Sequence, residues 1–365
     1  MDDLTLTVFL PNYNHARFLP ETLSSLTEQS YQPLEVIIVD DASTDNSLEI
    51  IEEFAQSRPN VQVIKNETNR GVVASENGVI EMARGSHFYG LSADDRVRPG
   101  LLEKSMALLA EHPTAGFCST LSYKIDESGT NLGLYPTPIV AERQAFFSAS
   151  EAREILLQRG SWFMGNTTIY RRSALLECGD HVPELGPFYD GFMSQVMALR
   201  YGVCFIPEAL GEFRQTAGQL SDATYDVRTA FPIYEHAIQL MRTTYRDLFP
   251  PEYVDRFECR TLAYTMERSL ARSNAMHLGY LKTMLPRPRH RLLLSLVSLA
   301  MRCQFLLAKI WLIIAVRREF WPSLWRSIKQ VVSFLLPFRS RKNQVEPTEV
   351  DDEVDSAGCQ DSGMA

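Results

Sequence analysis

The sequence predicts an α/β protein with a mostly parallel central sheet that helices flank on both faces. Short apolar runs of strand length alternate with helix-length segments over residues 4–123. The expected strands are nearly continuous in apolar residues, as in 34–39 (LEVIIV), which is typical of parallel strands buried on both faces. With 45% hydrophobic residues, a chain of 365 residues can bury a large core.

The elements follow one another in a regular order. Apolar or β-branched runs too short for ordinary helices indicate strands at 4–10, 34–39, 61–64, 86–91 and 115–123. Apolar residues at helical spacing and start signals predict helices over 17–29, from Ser43 onward, over 72–83 and over 101–110. The S-T-D-N-S pattern at Ser43 opens the second of these helices, and Pro99 precedes the fourth.

Polar residues follow four of these strands. Since ligands of parallel sheets bind at the carboxyl ends of the strands, these residues are the first candidates for a site. They comprise an aromatic residue, two acidic pairs and a basic residue: Tyr13, Asp40-Asp41, Arg70 and Asp94-Asp95.

This mixture suits a nucleotide bound with a cation. Tyr13 can stack on a nucleobase, Asp41 can accept a hydrogen bond from an imide N–H, and Asp94 is a hard oxygen ligand for a divalent cation. Each piece also has a simpler interpretation. The pair at 40–41 could cap the next helix, the pair at 94–95 could form an acidic turn, and Tyr13 could be a packed loop residue.

These residues belong to longer motifs: P-N-Y-N (11–14), E-V-I-I-V-D-D-A-S-T-D (35–45), N-R-G (69–71) and S-A-D-D (92–95). In this order and spacing they resemble the family 2 glycosyltransferases over about residues 4–220. The resemblance implies a GT-A (Rossmann-like) fold, and the residues that follow it predict a C-terminal helical extension. It also implies a nucleotide-sugar donor, with Mg²⁺ or Mn²⁺ as cofactor.

The resemblance implies roles for the donor-side residues. Tyr13 would stack on the base, with Pro11 shaping its loop, and Asp41 would accept a hydrogen bond from the base. Asp40 would shape the loop and the ribose side, and Arg70 would lie near the donor.

Asp94 corresponds to the metal-binding last residue of the family's D-x-D motif. The first position of that motif is Ser92 and the middle one is Ala93. The departure at Ser92 removes one carboxylate from this corner of the expected site.

The catalytic base is expected in the segment 186–214, which resembles the acceptor half of the family. In that register Asp190 would take a proton from the acceptor hydroxyl, although Tyr189 replaces the Glu of the family's frequent Glu-Asp pair. Asp190 could instead only cap the helix expected at 191–201. Trp162, Gly165 and Asn166 match a stretch that lines the acceptor pocket in relatives, or they belong to an ordinary buried strand.

Arg214 and Ser221 fall where relatives place a loop that closes over the diphosphate. Arg214 could contact phosphate directly, because a guanidinium suits that geometry, or it could be a surface residue at a strand end.

The resemblance implies a single displacement that inverts the anomeric centre, unlike a retaining glycosidase. The expected donor is of the UDP or dTDP type, and the expected acceptor is a hydroxyl of a glycan or lipid-linked molecule in cell-surface polysaccharide biosynthesis. One alternative is a nucleotidyltransferase, although P-N-Y-N-H-A is not the Gly-rich basic loop typical of that class. The other alternative is a non-catalytic nucleotide-sugar-binding protein.

Composition divides the chain into a catalytic domain (1–222), a helical extension (223–285), a basic amphipathic segment (286–343) and an acidic tail expected to be disordered (344–365). Segment 286–343 is rich in Lys, Arg, Trp and Leu, with Glu319 as its one acid. This pattern favours helices at an anionic membrane interface, over a membrane span or a basic surface packed on the protein.

The net charge, the cysteines and the N-terminal residues indicate the compartment and the partners. The net charge of −9 argues against nucleic acid as a partner. The 6 cysteines form no CxxC pair and are expected to be reduced. With no cleavable signal peptide visible, the expected location is the cytoplasm, at the inner face of the cell membrane.

Overall fold

The computed structural model describes residues 4–216, 218–224, 227–258 and 260–261. Its strands are β1 (Leu6–Asn12), β2 (Glu35–Asp40), β3 (Val61–Lys65), β4 (His87–Gly90), β5 (Arg96–Val97), β6 (Phe117–Ile125), β7 (Asn131–Leu134), β8 (Ala145–Phe147), β9 (Ile169–Arg171) and β10 (Val203–Arg214).

The helices are α1 (Leu19–Thr27), α2 (Ser47–Gln56), α3 (Val72–Met82), α4 (Leu101–Glu111), α5 (Ala149–Arg159), α6 (Arg172–Cys178), α7 (Tyr189–Tyr201) and α8 (Val227–Arg242). Short 3-10 helices lie at Gly165–Thr167, Pro183–Phe188 and Leu220–Thr224. A further helical stretch covers residues 251–258.

The strands form one sheet in the order β3-β2-β1-β4-β9-β6-β10-β5, with β7 beside β6 and β8 beside β10. The long strands pair in parallel: β1 with β2 and β4, β2 with β3, and β6 with β10. The short strands β5, β7, β8 and β9 pair antiparallel. The predicted mixed α/β fold around a mostly parallel sheet is confirmed.

Helices cover both faces of the sheet. Successive side chains along β1 and β2 point alternately to these two faces. Phe9 and Ile37 point into one hydrophobic core, while Val8, Leu10 and Ile38 point into the other. Each of these side chains is at most 1% exposed. The continuous apolar strands of the sequence are therefore strands buried on both faces.

Most of the predicted elements occur with small shifts at their ends, but helix α2 starts at Ser47 rather than at Ser43. The residues before it bind other groups. The Ser43 hydroxyl accepts hydrogen bonds from Asn12 Nδ2 and Asn14 N (both 3.0 Å). Asp45 accepts from Ala16 N and from Ser47 N (both 3.0 Å). This segment is therefore a linked turn, and the helix begins only after it.

The C-terminal third is described in part. Ala237 and Met241 of α8 belong to the same hydrophobic core as Phe192 of α7. The predicted segments 286–343 and 344–365 lie outside the described residues, and so do residues 262–285 of the predicted helical extension. Among the described residues, no helix has the length and apolar character needed to cross a membrane. Cys118, Cys178 and Cys204 are free and buried, as expected for reduced core cysteines.

Candidate functional site

A cavity of about 510 Å³ opens at the carboxyl ends of β1, β2 and β4. We call "sheet wall" the lining residues at or just after the carboxyl ends of these strands: Pro11, Asn12, Tyr13, Asp41, Ser92, Ala93 and Asp94. We call "helix wall" the lining residues at the start of α7: Pro187, Tyr189 and Asp190. The cavity therefore gathers Pro11, Tyr13, Asp41, Ser92, Ala93, Asp94 and Asp190, which the sequence had singled out at distant positions.

The loops after β1 and β2 hold each other through Asp40. Asn12 Nδ2 donates to Asp40 Oδ2 (2.8 Å), and Ser43 N donates to Asp40 Oδ1 (3.0 Å). Asp40 is 3% exposed and does not line the cavity. In this arrangement its carboxylate joins the two loops and faces them rather than the cavity.

Two residues of these loops adopt the left-handed backbone conformation without being glycine. Asn14 has φ 58°, and its side-chain oxygen accepts a hydrogen bond from Thr44 N (2.7 Å). Ala42 has φ 63°, which costs roughly 1 kcal/mol for a residue with a Cβ atom. The surrounding hydrogen bonds impose the left-handed conformation on Asn14 and Ala42. In this arrangement the Tyr13 side chain is 44% exposed at the cavity.

Asp41 fixes the loop that leads into α3. Its carboxylate accepts hydrogen bonds from Asn66 Nδ2 (2.7 Å), Arg70 N (2.9 Å) and Gly71 N (2.8 Å). Gly71, at φ 82°, suits the turn before the helix. The N-R-G motif therefore bonds to Asp41 through its backbone. The Arg70 side chain is exposed and does not line the cavity, whereas its neighbours Asn69 and Gly71 do.

Asp94 is the acid of the S-A-D-D motif that faces the cavity. The hydroxyl of Thr22 supports its loop by donating to Ala93 O (2.9 Å) and Asp95 O (2.8 Å). Asp95 itself is turned inward, at 2% exposure. Burial, together with the charge of Asp94, raises the pKa of Asp95 well above its usual value.

The residues present fit a divalent cation that takes few ligands from the protein. Asp94 lines the cavity, and its Oδ2 accepts one hydrogen bond, from Gln219 Nε2 (3.0 Å). The described part of the chain contains no cluster of three or more His, Cys, Asp or Glu that could hold a metal. Mg²⁺ is commonly bound by one or two carboxylates, with phosphate and water completing its shell. This donor set suits a cation that arrives with a diphosphate.

Arg214 lies elsewhere than expected. It is fully buried, so it is not a surface residue, and it does not line the cavity. Its guanidinium donates to Asp94 O (2.7 Å), to the carbonyls of Asp126 (3.2 Å) and Glu127 (3.1 Å), and to the Glu21 carboxylate (2.6 Å). With its donors taken by the protein, Arg214 braces the Asp94 loop from behind instead of contacting a phosphate.

Asp190 is the second residue of α7, and its carboxylate reaches the cavity. Burial raises its pKa to about 6, although Gly191 N donates to its Oδ1 (2.6 Å). Gly165 passes so close that a Cβ atom at this position would overlap Asp190 Oδ2. A carboxyl group with a pKa near 6 is ionised at neutral pH and is a stronger base than an ordinary Asp.

Trp162 and Asn166 are buried in the core rather than in the cavity wall. Trp162 is fully buried against Phe147 and Phe163, with ring centroids at 6.0 and 4.4 Å. Asn166 Nδ2 donates to Ser122 Oγ (3.1 Å). Neither lines the cavity, so the buried-segment interpretation describes them better than the acceptor pocket does.

Sequence reasoning missed two residues beneath the helix wall, Glu76 and His181. Tyr189 donates its hydroxyl to Glu76 Oε2 (2.6 Å), and His181 Nε2 lies 3.6 Å from Glu76 Oε1. One signal for Glu76 was present, because it lies four residues after Val72 and three before Val79 in the apolar stripe of α3. His181 stands in a loop and offered no such pattern.

The comparisons with known proteins agree with this geometry. Residues 7–179 match the family model described as glycosyl transferase family 2. The chain is 26% identical to Glycosyltransferase GlyG of Streptococcus pneumoniae over 238 residues, which is 63% of this chain and 77% of GlyG.

Solved structures are similar in fold. One is S. aureus TarS 1-349 in complex with UDP, with a TM-score of 0.56 and 19% identity, covering 88% of this chain and 92% of that one. The other is the mannosyltransferase PcManGT from Pyrobaculum calidifontis in complex with GDP-Man and Mn²⁺, with a TM-score of 0.51 and 19% identity, covering 92% of this chain and 88% of that one. With its strand-end motifs gathered in one cavity, the chain has the GT-A fold, and its residues 7–179 form a domain of the family 2 glycosyltransferases.

Proposed function

We propose that this glycosyltransferase moves a sugar from a nucleoside diphosphate donor onto an acceptor hydroxyl, with inversion at the anomeric carbon. The observation that carries the proposal is that Asp94 and Asp190 line one cavity from different walls. Asp94 suits the diphosphate end of a donor, and Asp190 suits the hydroxyl that attacks it.

The nucleotide would bind along the sheet wall. Tyr13, exposed at the cavity, offers a flat ring for a base. Asp41 already accepts three hydrogen bonds, but a carboxylate has about four acceptor sites and can take one more from an imide N–H. Uracil and thymine carry that N–H, which favours a UDP or dTDP donor.

Asp94 would hold a Mg²⁺ or Mn²⁺ ion that comes with the donor diphosphate. When bound, such an ion offsets the negative charge that develops on the leaving diphosphate. The Mn²⁺ in the mannosyltransferase complex supports a metal in this fold. Ser92 supplies no carboxylate, so the carboxylate ligand of this motif is Asp94.

Asp190 would act as the general base. Its carboxylate takes the proton of the acceptor hydroxyl while that oxygen forms a bond to the anomeric carbon. The bond from the anomeric carbon to the diphosphate oxygen breaks in the same step, and its electrons leave with the nucleoside diphosphate. One displacement of this kind inverts the anomeric centre.

The acceptor would be a glycan or a lipid-linked glycan of a cell-surface polysaccharide, met at the inner face of the membrane. The basic amphipathic composition of segment 286–343 supports a membrane surface, and its structure lies outside the described residues. Flotation with anionic liposomes, with and without residues 286–365, tests this part. Equal flotation of both forms would rule it out.

A panel of sugar nucleotides tests the activity. UDP-GlcNAc, UDP-glucose, UDP-galactose, dTDP-glucose and GDP-mannose, each with Mn²⁺, are screened for thermal stabilisation and for release of nucleoside diphosphate. We expect one donor to give both signals, and Asp94→Ala to lose both. Release of pyrophosphate from a nucleoside triphosphate and a sugar phosphate would indicate a nucleotidyltransferase instead. Stabilisation without any turnover, with or without glycan acceptors, would indicate a binding protein.

A further inference from the structure

Glu76 is a buried acid that the proposed reaction does not use. It lies in the middle of α3 and is 5% exposed. Tyr189, the residue directly before Asp190, donates its hydroxyl to Glu76 Oε2 at 2.6 Å. The first turn of α7, which carries the base, is thus tied to α3 by one short hydrogen bond.

His181 faces the other oxygen of Glu76. Its side chain is 1% exposed, and its Nε2 lies 3.6 Å from Glu76 Oε1. Among the described residues, neither ring nitrogen of His181 has a hydrogen-bond partner. The ring also packs edge-on against Tyr189, with centroids 5.0 Å apart. Glu76 is therefore the acid that meets this imidazole.

The backbone of His181 is held by the next residue of α3. His181 N donates to Asn77 Oδ1 and Asn77 Nδ2 donates to His181 O, both at 2.9 Å. Two neighbouring residues of one helix thus hold both the backbone and the side chain of His181. A buried carboxylate without a compensating charge is costly, and His181 is the basic side chain whose ring nitrogen lies 3.6 Å from the Glu76 carboxylate.

We propose that Glu76 and His181 form a buried charge pair that positions the general base Asp190 and sets the pH range in which it works. This inference rests on the proposed role of Asp190. Glu76 and His181 are positioning residues in this scheme, because they act through Tyr189 and through their charges and do not touch the substrate.

The two charges act on Asp190 in opposite directions. Glu76 disfavours the ionised form of Asp190, and a protonated His181 favours it. The other ionisable groups that face Asp190 are Tyr170 from β9 and Tyr189. Burial raises the pKa of both tyrosines well above the usual value, so they stay neutral during the reaction. Asp41 and Asp94 are the other acids of the cavity wall.

The test is the pH profile of donor hydrolysis, measured on the full chain with Mn²⁺ and the sugar nucleotide from the panel that gives the fastest turnover. Glu76→Gln removes the negative charge, so the acid limb of kcat should move to lower pH by roughly half a unit or more. The plateau rate should fall, since a weaker base removes the proton more slowly. His181→Gln removes the positive charge and should move the acid limb to higher pH.

Glu81→Gln is the matched control, because Glu81 is an exposed acid on the same helix. It makes the same charge change and should leave the acid limb in place. Tyr189→Phe keeps both charges and removes the hydroxyl, so kcat should fall while the acid limb stays. KM for the donor should stay near the wild-type value in Glu76→Gln and His181→Gln.

Opposite shifts in the two charge variants support the pair. Shifts in the same direction, or none beyond that of Glu81→Gln, would overturn it. If Glu76→Gln does not fold, the other two variants still test the charge pair. The proposal is overturned if the acid limb does not shift in His181→Gln, or if it moves in Tyr189→Phe. Asp190→Asn separates this inference from the proposed function, since wild-type hydrolysis by that variant means that Asp190 is not the base at all.

Discussion

The sheet wall and the helix wall border the same cavity but are built in different ways. Each part of the sheet wall lies at or just after the end of a strand, so a short motif in the sequence contains the side chain and part of its support. The helix wall brings Asp190 together with Gly165, Glu76 and His181, which come from four separate segments. Local motifs therefore mark the wall suited to the donor, while the surroundings of the base arise only from tertiary structure.

The two walls also treat their acids differently. Asp41 accepts three hydrogen bonds from one loop and stays available on the cavity side. Asp190 Oδ1 accepts a hydrogen bond from Gly191 N, and burial raises the pKa of the Asp190 carboxyl group to about 6. Rigid hydrogen bonding suits recognition, whereas a raised pKa suits proton transfer. Changes in one wall should therefore alter binding, and changes in the other should alter turnover.

The largest expected effect separates these two functions. Asp190→Asn keeps the shape of the helix wall but removes its base, so kcat should fall by about 10³-fold. Thermal stabilisation by donor and Mn²⁺ should persist, because the sheet wall is intact. Steady-state kinetics and a thermal shift assay measure the two quantities on one sample.

Asp94→Asn provides the contrast from the sheet wall. Both donor-induced stabilisation and turnover should fall, since this carboxylate is the expected ligand of the cation. A variant pair in which Asp190→Asn loses donor binding and Asp94→Asn keeps it would reverse the assignment of the two walls.

The second effect tests the fit of Asp190 against Gly165. Gly165→Ala places a Cβ atom on Asp190 Oδ2, so the flexible carboxylate has to move. A displacement of about 1 Å in a reacting group can cost about 10²-fold in rate, so kcat should fall by this order. Gly78→Ala is the control, because a Cβ atom there meets no atom within 4 Å. Equal kcat values for the two variants would show that this contact does not position Asp190.

The third effect concerns the support behind the sheet wall. Arg214→Met removes the bonds to Asp94 O and to Glu21 from a fully buried position, so the free energy of unfolding should fall by about 2 kcal/mol. Urea denaturation measures this loss. Arg17→Met, which breaks an ion pair with side chains 63% and 47% exposed, should change stability much less. A loss of donor binding without a loss of stability would instead favour a phosphate contact of Arg214.

The smallest effect lies at the opposite end of the sheet, away from both walls. Burial would raise the pKa of Glu35, but hydrogen bonds from Arg84 N (2.7 Å), the Thr7 hydroxyl (2.7 Å) and the Arg84 guanidinium (2.6 Å) hold it below the ordinary 4.5. A lowered pKa stabilises the fold above pH 4.5, and this stability is lost as the pH falls through the folded-state pKa.

Glu35→Gln should therefore lower the unfolding free energy by about 1 kcal/mol at neutral pH. The difference from the wild type should shrink below about pH 4.5, as urea denaturation at several pH values would show. Turnover should not change. A difference that is constant with pH would mean that the charge of Glu35 does not contribute.

The sequence was sufficient for the fold and for the sheet wall, because both depend on local patterns. Strand periodicity located β1 to β4, and the motif residues follow these strands in the structure as they do in the chain. Short strand β5, with two residues, has no periodicity to detect. The start of α2 was misplaced because Ser43 binds residues of the preceding loop, while Asp45 binds both that loop and the first helical residue, Ser47.

The sequence was less informative where a residue's role depends on burial. From the sequence, Arg214 could contact a phosphate or lie at the surface. Only its packing against Glu21 and the Asp94 loop shows that the guanidinium is enclosed. Trp162 and Asn166 could equally have lined a pocket or a core. Glu76 and His181 acquire a shared role only because α3 passes beneath the start of α7, which no local pattern encodes.

Strand β9 also bears on the order in which the chain can assemble its parts. It lies between β4 and β6 and pairs with both, although it follows α5 in the chain. The strands that form the sheet wall are complete by Gly90, whereas Asp190 comes after β9, the strand that joins β4 to β6. During synthesis from the N-terminus, the motifs suited to a nucleotide emerge first and the base emerges last. A growing chain of this protein therefore contains its binding motifs for about a hundred residues before it contains the group that would make binding productive.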